Sequence, residues 1–389
     1  MIYLDNAAST QIHDDVLESM LPYLKEQYGN ASSIHRYGRL ARKAIEKARK
    51  QIALLINADL SEILITSGGT ESNNTVLMGI SKDGDFNSIV TSSIEHDAIL
   101  EPCKKLTQNG LHVDYLPVDK FGTVDPLELK NHLSDNTCLV SIMFGNNEVG
   151  TVQKISQIAK ICNERKIPFH TDAVQAVGKI PINVKELGID LLSISSHKLH
   201  GPKGIGALYI KNGIKIDPVI LGGGQEHGLR SGTENVANIV GFGKACEIAK
   251  NNLNDNVEYV TTLRDMLIEK VLNEIPEVTL NGNPKSRLPN NAHFTFLGVN
   301  GEDLIIKLDE YGIAASTGSA CSVNTQRASH VLQAMGFSHE QITGSLRLTM
   351  GVFNNEKDIE QTITSLKKIV EELRAFSPFK EKYSFGSKI

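Results

Sequence analysis

The chain is predicted to be α/β: a large domain with a mostly parallel sheet between helices, plus a smaller α+β domain. Three observations carry this. Short, nearly continuous apolar runs alternate with longer amphipathic stretches over the first two thirds of the sequence, the pattern of strands buried on both faces and joined by helices. Beyond that the character changes, with the long helical stretches "VEYVTTLRDMLIEKVLNEI" and "KDIEQTITSLKKIVEELRAF" separated by turns rich in Pro, Asn and Gly. Finally, 389 residues, 40% of them hydrophobic, suffice for a large core and are long for one domain. The predicted boundaries are 15–254 for the large domain, and 1–14 with 255–389 for the small one.

Taken in order, "SEILITSGG" reads as a strand opening into helical "TESNNTVLMGI". "NSIVTSSIEH" leads into "DAILEPCKKLTQNG", and "NTCLVSIMFGNNEVG" into "ISQIAKICNERK". "IPFHTDAVQ" and "IDLLSISSHK" add two strands, and a last one follows the glycines of "GPKGIGALYI". In such sheets the binding crevice lies at the carboxyl ends of the strands.

Forty basic and 45 acidic residues give a net charge of −5 without a long run of either sign, so neither nucleic acid nor a membrane surface is expected as a partner. No apolar run approaches the roughly 18 residues that span a bilayer, and "MIYLDNAAST" has no secretory pattern, so the cytoplasm is the expected compartment. The five cysteines are scattered, with no C-x-x-C pair to suggest a resident metal, and read as free thiols. Cys103, Cys162 and Cys246 lie in amphipathic stretches and Cys138 in an apolar strand, all positions typical of core. Cys321 differs. Its surroundings, "STGSACSVNTQ", are small and polar without periodicity, which places this thiol on an accessible loop.

The predicted strand ends collect polar residues. Gly69 and Thr70 follow the first strand, His96 the second and Asn147 the third. Thr171, Asp172 and Gln175 follow "IPFH", and Ser195, His197 and Lys198 follow "IDLLSI". Singly, each has a structural reading: a strand-to-helix turn at Gly69 and Thr70, an ordinary structural role for His96 and Asn147, an ion pair between Asp172 and Lys198. Together they match what pyridoxal phosphate requires, namely a lysine for a Schiff base, a carboxylate at the ring nitrogen and donors around the phosphate. Lys198 would bond the aldehyde and Asp172 pair with the ring nitrogen. Gln175 would bind the ring hydroxyl, His96 would stack on the ring, and Gly69, Thr70, Ser195 and His197 would hold the phosphate.

The ordered blocks "YLDNAAST", "YGNASSIH", "TSGGTESNN", "SIEHDAI", "GNNEVGT", "HTDAVQAVGK", "SSHKLHGPKG", "GGGQEHGLRSGT", "STGSAC" and "SLRLTMG" resemble a cysteine desulfurase of the class V aminotransferases. The resemblance implies fold type I of the pyridoxal phosphate enzymes and a homodimer with its site at the interface. It implies transfer of sulfur from L-cysteine to Cys321 as a persulfide, giving L-alanine, with delivery to an iron–sulfur scaffold or another acceptor, including tRNA thiolation. Position by position it gives Lys198, Asp172, Gln175, Gly69, Thr70, Ser195 and His197 the cofactor roles above. It makes His96 catalytic and gives Thr233 to the phosphate of the neighbouring subunit's cofactor. Asn147 and Arg347 take the substrate carboxylate, and Cys321 is also suited to transient ligation of an iron–sulfur cluster. The stretch "SVNTQRASHVLQAMG" resembles the longer loop of members serving iron–sulfur assembly and tRNA thiolation. His227 stands where the family usually has arginine, and "FKEKYSFGSKI" does not resemble the tail that docks a scaffold, which leaves partner choice open. The alternatives are a selenocysteine lyase or an aminotransferase of the same fold.

Overall fold

The computed structural model describes residues 1–80, 87–318 and 328–377; Cys321 and the terminal "FKEKYSFGSKI" lie outside them. In chain order the strands are β1 Ile2–Tyr3, β2 Ile63–Thr66, β3 Ser88–Ser92, β4 His112–Leu116, β5 Thr137–Ser141 and β6 Phe169–Asp172. They continue with β7 Leu191–Ser195, β8 Gly206–Ile210, β9 Val278–Asn281, β10 Asn291–Phe296, β11 Ile313–Ala314 and β12 Ser345–Thr349.

Seven strands form the central sheet in the order β2-β8-β7-β6-β5-β3-β4. Every pair is parallel except those of β8, which runs antiparallel to both β2 and β7. The link from β7 to β8 is too short for a helical crossover, so the chain must turn back on itself. Strands β2, β3, β5, β6 and β7 are buried along their whole length, as their apolar runs require. The edge strand β4, "HVDYL", is only partly covered and alternates polar with apolar residues, so it lacks the continuous run that marks the others.

A second sheet is antiparallel, ordered β12-β10-β9, with helices Leu253–Glu274 and Glu356–Ala375 packed beside it. Its core holds Phe294, Phe296, Leu267, Leu346 and Leu366, and Ile2 and Leu4 from the N-terminus join it. Strand β1 pairs with β11 in parallel, which carries Ala7 and Ala8 onward to the carboxyl end of the central sheet. Val331, Leu332 and Met335 pack instead on Ile94, Met143 and Val149 beneath that same end. Cys103, Cys138, Cys162 and Cys246 are free and buried. Burial pushes the thiols of Cys103 and Cys162 up to about 12, and that of Cys246 well above its ordinary value.

Candidate active site

A cavity of about 360 Å³ opens at the carboxyl ends of β2, β3, β5, β6 and β7. Of the residues singled out in the sequence, Gly69, Thr70, His96, Asn147, Asp172, Gln175, Ser195, His197, Lys198 and Arg347 all line it. Thr233 does not: it is exposed, on the segment after the residue 226–228 turn.

Lys198 ends a short 3₁₀ turn, Ser196–Lys198, directly after β7. Its Nζ donates to the carbonyls of Ala7 at 2.5 Å and Ala8 at 2.8 Å. The sequence alternative of an Asp172–Lys198 ion pair is not realised. Asp172, 6% exposed, instead receives neutral donors: Asn73 Nδ2 at 2.7 Å on Oδ2 and the Val174 N–H at 3.0 Å on Oδ1. A buried carboxylate met only by neutral groups retains its attraction for a cation brought into the cavity. Gln175 Nε2 donates to Ala7 O at 2.8 Å, and its Oε1 accepts from Lys179 Nζ at 3.0 Å.

The helix Gly69–Gly79 points its N-terminus into the cavity. Glycine is required where it packs: a Cβ on Gly69 would lie 2.6 Å from Val174 Cγ2, and one on Gly206 would lie 2.7 Å from Gly68 Cα. The hydroxyls of Thr70 and Ser195 make no hydrogen bond among the described residues. His197 shares Nδ1 with Ser9 Oγ at 3.3 Å, and burial together with Lys198, Lys203 and Lys179 holds its pKa down near about 4, so its ring is neutral. Unspent helix N–H groups, two hydroxyls and a neutral imidazole suit a phosphate.

His96 caps the helix Asp97–Gln108, its Nδ1 accepting from the Ala98 N–H at 3.0 Å. That bond assigns the proton of the neutral ring to Nε2, so the ring offers a donor there. Behind it Glu95 is fully buried, with Oε1 bonded to Ser92 Oγ at 2.5 Å and to the Met143 N–H at 2.9 Å. Burial, with the Asp172 charge added, pushes Glu95 up to about 8.

Arg347, on β12, spans the two sheets. Nη1 donates to Asn147 O at 2.9 Å and Gly318 O at 3.3 Å, and Nη2 pairs with Asp5 Oδ1 at 2.8 Å. Nε has no partner. The guanidinium fork therefore keeps N–H donors beyond those its own chain uses, as recognition of a carboxylate requires.

Sequence reasoning passed over Asn73, Lys179, Glu95 and the carbonyls of Ala7 and Ala8. The Asn-Asn pair in "TESNN" is a faint signal for the first, since two amides in one helical turn are poor helix formers without a task. Backbone carbonyls leave no signal at all.

A family model, Aminotransferase class-V, matches residues 2–362. Among curated relatives, "Cysteine desulfurase IscS" of Dictyoglomus turgidum is 50% identical over 389 residues, covering 100% of this chain and 99% of its own. "Cysteine desulfurase IscS" of Methanosarcina thermophila is 49% identical, covering 98% of this chain and 95% of its own. Among solved structures, a "NifS-like protein" superposes with a TM-score of 0.90 at 38% identity, over 95% of this chain and 99% of that one. A structure described as "SspA in complex with cysteine" superposes at 0.82 with 36% identity, over 91% of this chain and 100% of that one. The chain belongs to the cysteine desulfurases of the class V aminotransferase family. Enzymes of this family depend on pyridoxal phosphate, and the donors around the cavity fit it.

Proposed function

We propose that Lys198, His96 and Cys321 carry the transfer of sulfur from L-cysteine, leaving L-alanine and a persulfide on Cys321. The observation behind this is the convergence of Lys198, Asp172, His96 and Arg347 on one cavity that Gly318 also lines. Cys321 is three residues after Gly318. At most roughly 3.6 Å of chain per residue bounds their Cα separation at about 11 Å.

When bound, pyridoxal phosphate supplies an aldehyde for amines and a protonated ring that draws electrons from the substrate carbon. Gly69, Thr70, Ser195 and His197 would hold its phosphate, Asp172 its ring nitrogen and Gln175 its ring oxygen, with His96 against the ring. Arg347 and Asn147 bind and orient the substrate carboxylate. Lys198 takes the proton from the substrate α-carbon. The thiolate of Cys321 attacks the substrate sulfur: a sulfur–sulfur bond forms, the carbon–sulfur bond breaks, and its electron pair stays with carbon. That carbon is protonated to the methyl of alanine. His96, with its proton on Nε2, is a donor for such steps, so the substrate amine is the better acceptor for the thiol proton.

The working unit is a homodimer, with Thr233 reaching the other subunit's phosphate. Leu24, Tyr28, Ile34 and Leu221 are exposed, Ile34 at 91%, large apolar side chains that a second copy would cover. The segment leading to Thr233 is braced from below, since Arg49 holds Glu226 through two bonds of 2.7 Å. We further propose a large unit of 15–254, a small one of 1–14 with 255–389, and residence in the cytoplasm, where free thiols persist. The persulfide passes to an iron–sulfur scaffold or another acceptor protein. Incubation with L-cysteine under reducing conditions tests the reaction, with alanine and sulfide assayed together. Equal yields from the wild type, and a loss of several orders of magnitude in Cys321→Ala, are expected; normal turnover by the variant refutes the thiol's role.

A further inference from the structure

Lys179 has no part in the mechanism above, yet it sits directly behind one of its residues. The turn after β6 brings it there. Gly178 adopts φ +77, and a Cβ at that position would stand 3.2 Å from Leu199 Cβ, so the chain bends tightly before Lys179. Lys179 Nζ then donates to Gln175 Oε1 at 3.0 Å, while Gln175 Nε2 donates to Ala7 O at 2.8 Å. On its other side Lys179 borders a separate small cavity of about 70 Å³ between the two sheets, shared with Lys198, Leu199, His200 and Asn290. It does not line the active-site cavity itself.

We propose that Lys179 is a positioning residue that fixes the carboxamide of Gln175 so that its N–H face, rather than its oxygen, is turned to the cofactor ring. An amide has one accepting end and one donating end of nearly equal shape, and nothing in its own geometry chooses between them. An ammonium has donors only, so the selection is made while Lys179 holds its proton, below its pKa of about 7. Its bond therefore claims Oε1, and the two hydrogens of Nε2 divide between Ala7 O and the cavity. Without Lys179 the amide is free to turn over, which would set an acceptor against the ring oxygen. The ammonium also adds positive potential on that side, opposite Asp172. Burial holds its pKa near about 7, with Lys198 and Arg347 adding to the push, and His197 and His200 feel its charge in turn. The inference rests on the reading of Gln175 as the ring-oxygen donor.

The test uses full-length protein stripped of cofactor and titrated with pyridoxal 5'-phosphate, read by visible absorbance. It records both the dissociation constant and the pH at which the visible band converts. Lys179→Met is expected to weaken binding about tenfold, the scale of one charge-assisted hydrogen bond, and to shift the band's pH midpoint upward. Lys179→Arg, which keeps the donor and the charge, restores both. In a Gln175→Ala background, Lys179→Met should weaken binding little further. Should Lys179→Met fail to fold, Lys179→Gln removes the same charge with similar reach and carries the same expectation. An equal effect of Lys179→Met with and without Gln175 would overturn the positioning role while leaving Gln175 in place. No effect of Gln175→Ala on either readout would instead remove the Gln175 reading, and the inference with it.

Discussion

The two sheets of this protein treat polar groups differently. At the carboxyl end of the seven-stranded sheet, Asp172 has only neutral donors, Glu95 Oε2 has no partner, and the hydroxyls of Thr70 and Ser195 make no bond among the described residues. Around the three-stranded sheet, charge is closed on the chain itself. Arg374 donates to Leu297 O at 3.0 Å, Pro276 O at 2.8 Å and Glu277 O at 3.2 Å, and Arg287 and Arg264 likewise spend themselves on carbonyls. Unspent hydrogen-bonding capacity costs stability wherever it is buried, and the small sheet keeps some of its own at Asn281 Oδ1, Asn291 Oδ1 and His293 Nε2, so what marks the ligand site is an uncompensated carboxylate and unspent hydroxyls lining one cavity. The small sheet is a brace, and among the described residues Arg347 is its one reach into the cavity.

Substitutions can break this contrast, and the largest effect is expected at the large sheet. Lys198→Ala should abolish alanine formation while the apo-protein melts near the wild-type temperature; an unfolded variant would make Lys198 a structural residue. Asp172→Ala should cost about a hundredfold or more in turnover, the scale of losing one preorganised charge, and a wild-type rate with full cofactor would remove it from the mechanism. Arg347→Ala should show both characters at once: a raised KM for L-cysteine, and a stability loss of about 2–3 kcal/mol from stranding Asp5, read by denaturant titration. Phe294→Ala, deep in the small core, should cost about 3–5 kcal/mol yet leave cofactor affinity unchanged in the folded fraction. A changed affinity would mean that the brace and the site are not separable.

The smallest expected effect is a pH slope. Glu95 holds its proton more tightly folded than unfolded, so it stabilises the folded state at low pH, and this contribution declines as pH rises from 4.5 to about 8. Glu95→Gln should flatten that decline in thermal melts, and an unchanged slope would place the titration elsewhere.

Much of this was legible because strand ends and continuous apolar runs follow from local pattern. Strands β2, β3, β5, β6, β7 and β8 coincide with apolar runs, and nine of the residues drawn from their ends share one cavity, while Arg347 on β12 came only from the resemblance. Edge strand β4 was not legible, because half-covered residues need no apolar run. Nor was the reversed direction of β8, which depends on the length of the turn that Lys198 occupies. Lys179 reads as an ordinary solvated lysine in "AVGKI", and only the positive φ of Gly178 turns it back toward Gln175. The neutral partners of Asp172 come from a helix 99 residues earlier in the chain and from its own turn, a pairing that only the tertiary fold creates.

The central claim is that Lys198, and not its neighbour, is the amine that meets the cofactor. Lys179 is a fair competitor, with a pKa near about 7 and a position on the other side of Gln175. Borohydride reduction of the pyridoxal phosphate-loaded protein, followed by digestion and mass-spectrometric mapping, decides between them. The account predicts a pyridoxyl group on the peptide containing Lys198 and none on that containing Lys179. A label on Lys179, or an unlabelled Lys198 in protein that retains the visible chromophore, would contradict it.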